Sequence, residues 1–177
     1  MIKVIRLVVL LFFITSSFGQ KEGGKNSFSW LSPQQVSQNV AQNPKPVIID
    51  VYTDWCHYCK LMDKTTWTHP QLRNYVSEHF YPIKFNAESK DDVQWMGKTY
   101  SFKPAYKVHM LAAEWLKGNM VFPSTVIIPE DGEPVILPGM MSPVELEPVL
   151  RYFGEGYYKT TTWQGFKERY KTTWKKA

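Results

Sequence analysis

Residues 47–60 read Val47-Ile48-Ile49-Asp50-Val51-Tyr52-Thr53-Asp54-Trp55-Cys56-His57-Tyr58-Cys59-Lys60. The first six form an apolar, β-branched run interrupted by one aspartate, with no polar alternation. Asn43-Pro44-Lys45-Pro46 bounds the run upstream. This pattern predicts a central strand covered on both faces. Two cysteines follow within a few residues, and helix-forming sequence follows them, so the Cys-x-x-Cys pair lies at a strand-to-helix junction.

Working outward from this stretch, the chain alternates helix and strand. Upstream, Ser32 is an N-cap candidate with Pro33 at the first helical position and Val36 and Val40 on one face. Downstream, Leu72, Tyr75, Val76 and Phe80 recur at helical spacing from His69-Pro70 onward and lead into a strand over residues 81–86. The β-α-β order predicts parallel strands at this point. Val93, Trp95, Tyr100 and Phe102 flank Gly97-Lys98 and predict a small hairpin with a type II′ turn. Val108, Leu111, Ala112, Trp115 and Leu116 form a helical stripe. Strands over 125–128 and 134–137 flank the turn Glu130-Asp131-Gly132-Glu133 and are expected to be antiparallel. Ser142-Pro143-Val144-Glu145 is a capping box opening a helix to about Phe153. A last helix is expected to carry Trp163, Phe166, Tyr170 and Trp174 on one face, as a lid over the domain.

The full sequence has 177 residues, 44% hydrophobic and 21% charged, the profile of one globular domain. Its start, with Lys3 and Arg6 before the apolar run Leu7 to Ile14 and then Ser16, Ser17 and Gly19, has the pattern of a secretory signal peptide cleaved near Gln20. The run is far shorter than the roughly 20 apolar residues that span a bilayer. The expectation is an exported, periplasmic protein, free of the membrane after cleavage. Losing Lys3 and Arg6 leaves only a mild positive excess, too small to imply nucleic acid.

Two cysteines cannot build a disulfide scaffold, so the pair calls for chemistry. A Cys-x-x-Cys at a helix start sets the first sulfur beside free backbone N–H groups and the positive end of the helix dipole, which favours a thiolate. Cys56 is then the nucleophile, expected to be exposed, and Cys59, one turn on and expected to be buried, resolves the mixed disulfide. A purely structural bridge across so small a ring would remove little unfolded-chain entropy. A zinc site lacks the usual complement of ligands. Copper(I) carriage by the two sulfurs is the remaining metal reading, with Met62 close by. No resident metal or cofactor is expected, and a lone His109 is read as structural or solvated.

From Ile49 to Lys60 the sequence resembles the strand, buried aspartate, tryptophan and redox box of the thioredoxin superfamily. Lys84-Phe85-Asn86 is similar to that family's next strand, and Phe122-Pro123-Ser124-Thr125 to its cis-proline loop facing the cysteines. The likeness spans roughly residues 30–155. It implies an α/β thioredoxin-like fold, a central mixed sheet flanked by helices, with an insertion over 87–121 before the proline loop and an extra C-terminal helix. The domain division expected is 1–19 signal, 20–158 thioredoxin-like domain and 159–177 helical extension.

The resemblance further implies a protein-disulfide oxidoreductase acting as a monomer on polypeptide thiols and disulfides, with an upstream redox partner protein. Asp50 and Lys84 would manage protons, and Trp55, His57, Tyr58, Phe122 and Pro123 would line the substrate groove. His57-Tyr58 departs from the Gly-Pro pair of ordinary thioredoxins, so their strongly reducing character is not carried over. His57 is either a solvated helix residue or an electrostatic partner of Cys56. A binding module or assembly factor without redox turnover is the reading from another class.

Overall fold

The computed structural model describes residues 28–175, so the signal-peptide reading of residues 1–19 lies outside the described residues. Four strands, β1 (Val47–Tyr52), β2 (Tyr81–Asn86), β7 (Ser124–Ile128) and β8 (Val135–Pro138), form one sheet in the order β2-β1-β7-β8. β1 is central, parallel to β2 in the register Asp50↔Lys84 and antiparallel to β7 in the register Asp50↔Thr125. β8 closes the sheet antiparallel to β7 and ends on Pro138. At the opposite edge, the Leu31 N–H donates to Pro82 O (2.8 Å) and Leu31 bridges Ile83.

The strand period of two sorts β1 between two cores. Ile48 faces the core made with α2 (His57–Thr65), α3 (Pro70–His79) and α5 (Pro143–Gly154), where Met62, Leu72, Val76, Leu146 and Leu150 are buried. Val47, Ile49 and Val51 face the other side, against Val36 of α1 (Pro33–Gln42) and the buried residues of segment 87–121. Both α1 and α5 open with reciprocal capping boxes, Ser32 with Gln35 and Ser142 with Glu145, each followed by proline. Such caps contribute about 1 kcal/mol apiece and fix where each helix enters the fold. This is the mixed α/β architecture expected from the sequence, extra C-terminal helix included.

Three local expectations are corrected. The hairpin pairs β3 (Val93–Trp95) with β4 (Lys98–Tyr100), and its two-residue loop is Met96-Gly97, not Gly97-Lys98. Both loop residues have positive φ, 46° and 77°, as a type I′ turn requires; Lys98 closes the hairpin opposite Trp95. Val108 does not belong to the helical stripe. It lies in β6 (Val108–His109), paired with β5 (Phe102–Lys103), and α4 (Met110–Trp115) starts only after His109 caps it. Finally, α6 (Trp163–Arg169) stops before Tyr170, so Trp174 reaches the core from an irregular segment.

That segment is held by one carboxylate. Glu147 on α5 is fully buried and accepts from Tyr170 Oη (2.8 Å), Thr173 N, Thr173 Oγ1 and Trp174 N (2.8 Å). Burial would raise its pKa, but these donors outweigh burial and hold it below the ordinary glutamate value. Trp174 then packs edge-on against Tyr75, with ring centroids 5.8 Å apart. Among the described residues no helix is long and apolar enough to cross a membrane.

Candidate active site

Cys56 is the N-cap residue of α2, and its Sγ accepts the Cys59 N–H at 3.1 Å. The helix therefore begins on a sulfur, whose negative form would be stabilised by that N–H and by the helix dipole. Cys56 and Cys59 are joined as a disulfide. Contrary to the exposed and buried assignment, the two residues are almost equally covered, 4% and 3% exposed. The difference between them lies in helix position.

Trp55 is 66% exposed and Tyr58 61% exposed, on either side of Cys56. Trp55 meets Phe122 edge to face, with centroids 6.0 Å apart, so the cysteine loop and the proline loop come together. The Phe122–Pro123 bond is cis, and buried Pro123 accepts from Gly139 N at 2.8 Å. His57, exposed at the first position of α2, packs edge-on against Tyr58. Asn86 Nδ2 donates to Asp54 Oδ2 (2.9 Å), tying the loop before the cysteines to the end of β2.

Beneath α2 lies the charged cluster. Asp50 is 2% exposed, and Lys84 Nζ donates to its Oδ2 at 2.5 Å. The same ammonium donates to Asp63 Oδ1, also at 2.5 Å, and lies 4.5 Å from the centre of the Tyr52 ring. Burial dominates Asp50 and raises its pKa despite Lys84. Burial pulls Lys84 down, but the two carboxylates more than offset it and hold the ammonium above its usual value. Asp50 and Lys84 are thus brought together as expected. Among the described hydrogen bonds, neither reaches a cysteine sulfur.

Asp63 was not anticipated. Its signal was available: four residues after Cys59 on a helix, it shares the inward-turning face that carries the second cysteine. His109 is buried, accepting from Leu111 N through Nδ1 and contacting Asp91 O through Nε2. It caps a helix, in keeping with its structural reading.

Comparison with known proteins agrees with this geometry. The thioredoxin-like domain family matches residues 33–154. Over 42 residues, 24% of this chain, the sequence is 42% identical to the thiol:disulfide interchange protein DsbD of Pectobacterium atrosepticum. The match covers 7% of that protein, and the chain spans less than a fifth of each curated relative it matches. The fold is similar to a thioredoxin-fold protein from Helicobacter pylori, with a TM-score of 0.56, 19% identity, and coverage of 81% of this chain and 91% of that one. It is also similar to a DsbH oxidoreductase, with a TM-score of 0.52, 15% identity, and coverage of 73% and 85%. The family match spans most of the chain and takes in the Cys56–Cys59 disulfide at the head of α2, so the chain belongs to the thioredoxin-like domain family.

Proposed function

We propose that this protein exchanges disulfides with polypeptide substrates in an exported compartment, with Cys56 attacking and Cys59 resolving. The observation that carries the reading is the Cys56 sulfur at the N-cap of α2, accepting a backbone N–H and flanked by an exposed aromatic rim. In the reducing direction the Cys56 thiolate attacks a client disulfide, forming a mixed disulfide and releasing one client thiolate, which takes a proton from solvent. Cys59 then gives its proton to Asp50 and attacks the Cys56 sulfur. The second client thiolate leaves and is protonated, and the Cys56–Cys59 disulfide remains. A dithiol partner protein resets it; oxidation of clients is the same sequence reversed.

Trp55, Tyr58, Phe122 and Pro123 receive the extended client chain, His57 acts on the Cys56 thiolate, and Lys84 holds Asp50. The signal-like N-terminus supports the exported location, and the stretch similar to a thiol:disulfide interchange protein supports the exchange chemistry. Turnover of a model protein disulfide tests the reading. Cys56→Ser abolishes turnover, and Cys59→Ser accumulates mixed disulfides with clients that a reductant releases. Wild-type turnover no higher than that of Cys56→Ser, or no trapped adducts in Cys59→Ser, leaves a binding module instead.

A further inference from the structure

Ile48 and Ile127 stand opposite each other across β1 and β7 and are buried in the same core. Two residues along, Asp50 and Thr125 form the next opposed pair on that face, since directly opposed residues of antiparallel strands project to the same side. Thr125 is fully buried, and its Oγ1 has no hydrogen-bond partner. Trp67, just beyond α2 and 3% exposed, likewise has a buried Nε1 without a partner of standard geometry, yet it lies close enough to Asp50 to favour the carboxylate. Buried polar groups are rarely left unsatisfied. Here two such donors border a carboxylate whose Oδ2 is taken by Lys84.

We propose that Thr125 is a positioning residue for Asp50: its hydroxyl, with the Trp67 indole N–H as a second donor, holds the carboxylate and stabilises its ionised form. Resting on the proposed function, this makes Thr125 a determinant of the pH at which Asp50 becomes able to take the proton of Cys59. Lys84 of β2 and Asp63 of α2 are the charged groups acting on Asp50, with Tyr52 on its own strand and Cys59 one turn before Asp63. The largest charge effects on Asp50 come from Lys84 and Asp63 rather than from α3 or α5, packed on the same face.

The test titrates the carboxyl carbon of Asp50 by NMR in the oxidised protein, where no thiol titrates, with the resonance assigned from Asp50→Asn. Thr125→Val keeps size and β-branching but removes the hydroxyl. The Asp50 midpoint rises by about one pH unit, the worth of one ordinary hydrogen bond. Thr125→Ser restores the wild-type midpoint, and Trp67→Phe raises it independently. Identical midpoints in wild type and Thr125→Val overturn the proposal. In stopped-flow resolution of a Cys56 mixed disulfide, the acid limb moves up in Thr125→Val but not when Asp50→Asn is also present. A midpoint that moves while this limb does not upholds the Thr125–Asp50 link and refutes the role of Asp50 in exchange.

Discussion

At the scale of single residues, the two cysteines show how position outweighs exposure. Both are covered to the same degree, so what separates them is that Cys56 caps α2 and Cys59 supplies the N–H that its sulfur accepts. His57 follows at the first helical position, where an imidazolium would be repelled by the helix dipole unless the neighbouring thiolate offset it. The two effects meet in one measurement. If His57 pairs with the Cys56 thiolate, His57→Ala raises the Cys56 pKa and destabilises the reduced form. The potential then becomes more negative by about 30 mV, which corresponds to about 1.4 kcal/mol in a two-electron couple. Equilibration with glutathione and thiolate absorbance across pH read both quantities. Unchanged values make His57 a solvated residue. Asp50 stood out in the sequence as the one acid in an apolar run, whereas Lys84 and the proline-loop residues Phe122 and Pro123 were singled out by the resemblance to the thioredoxin superfamily. Thr125 and Trp67 were not legible, because they reach Asp50 from β7 and from the turn after α2, whose packing no local pattern encodes, while Asp63 was missed although its spacing from Cys59 was readable.

At the scale of elements, legibility followed the strength of the local signals. The strands over 47–52 and 81–86 and the capped helices α1 and α5 were placed from sequence because apolar run, proline and cap coincide there. The insertion was misread in detail because Val108 continues the stripe of α4 in spacing while pairing with Lys103 in space. The C-terminal helix was drawn too long for a similar reason: Tyr170 and Trp174 fit the helical period, but Glu147 offers the backbone N–H groups of residues 173 and 174 a better partner than another turn of helix. This carboxylate carries a signed pH effect. Its folded pKa is depressed below the ordinary 4.5, so its stabilisation is present above that value and lost as pH falls from there through the folded pKa. Glu147→Gln loses about 2 kcal/mol at neutral pH, the worth of a charge-assisted hydrogen bond. The gap to wild type closes in acid, as followed by urea denaturation across pH. A pH-independent gap would mean the carboxylate charge is not what holds the segment.

At the scale of the whole molecule, the segment beyond residue 158 and the insertion both feed the cores that flank β1. Phe166 and Trp174 are buried with α3 and α5, and Trp95, Tyr100 and Trp115 with β1 and β2. The expectation is one cooperative unit rather than a domain with an appended helix. Removing residues 159–177 uncovers the pocket of Trp174 and strips Glu147 of its donors. At about 2 kcal/mol for each of the two aromatic side chains and about 2 kcal/mol for the lost Glu147 contacts, the truncated chain is about 6 kcal/mol less stable in urea, with fluorescence and circular dichroism transitions still coincident. Equal stability of the two chains would show 159–177 to be a separable extension. The sheet's own margins have a further consequence, for behaviour in crowded solution. An open strand edge is a template for self-association, and proline, which has no N–H to offer, blunts it. β8 is framed by Pro134 and Pro138, and at the far margin Pro82 lies within β2 where Leu31 already occupies the edge. Neither margin offers an uninterrupted row of donors to a second chain, so the sheet is guarded against extending itself into another polypeptide and seeding aggregates.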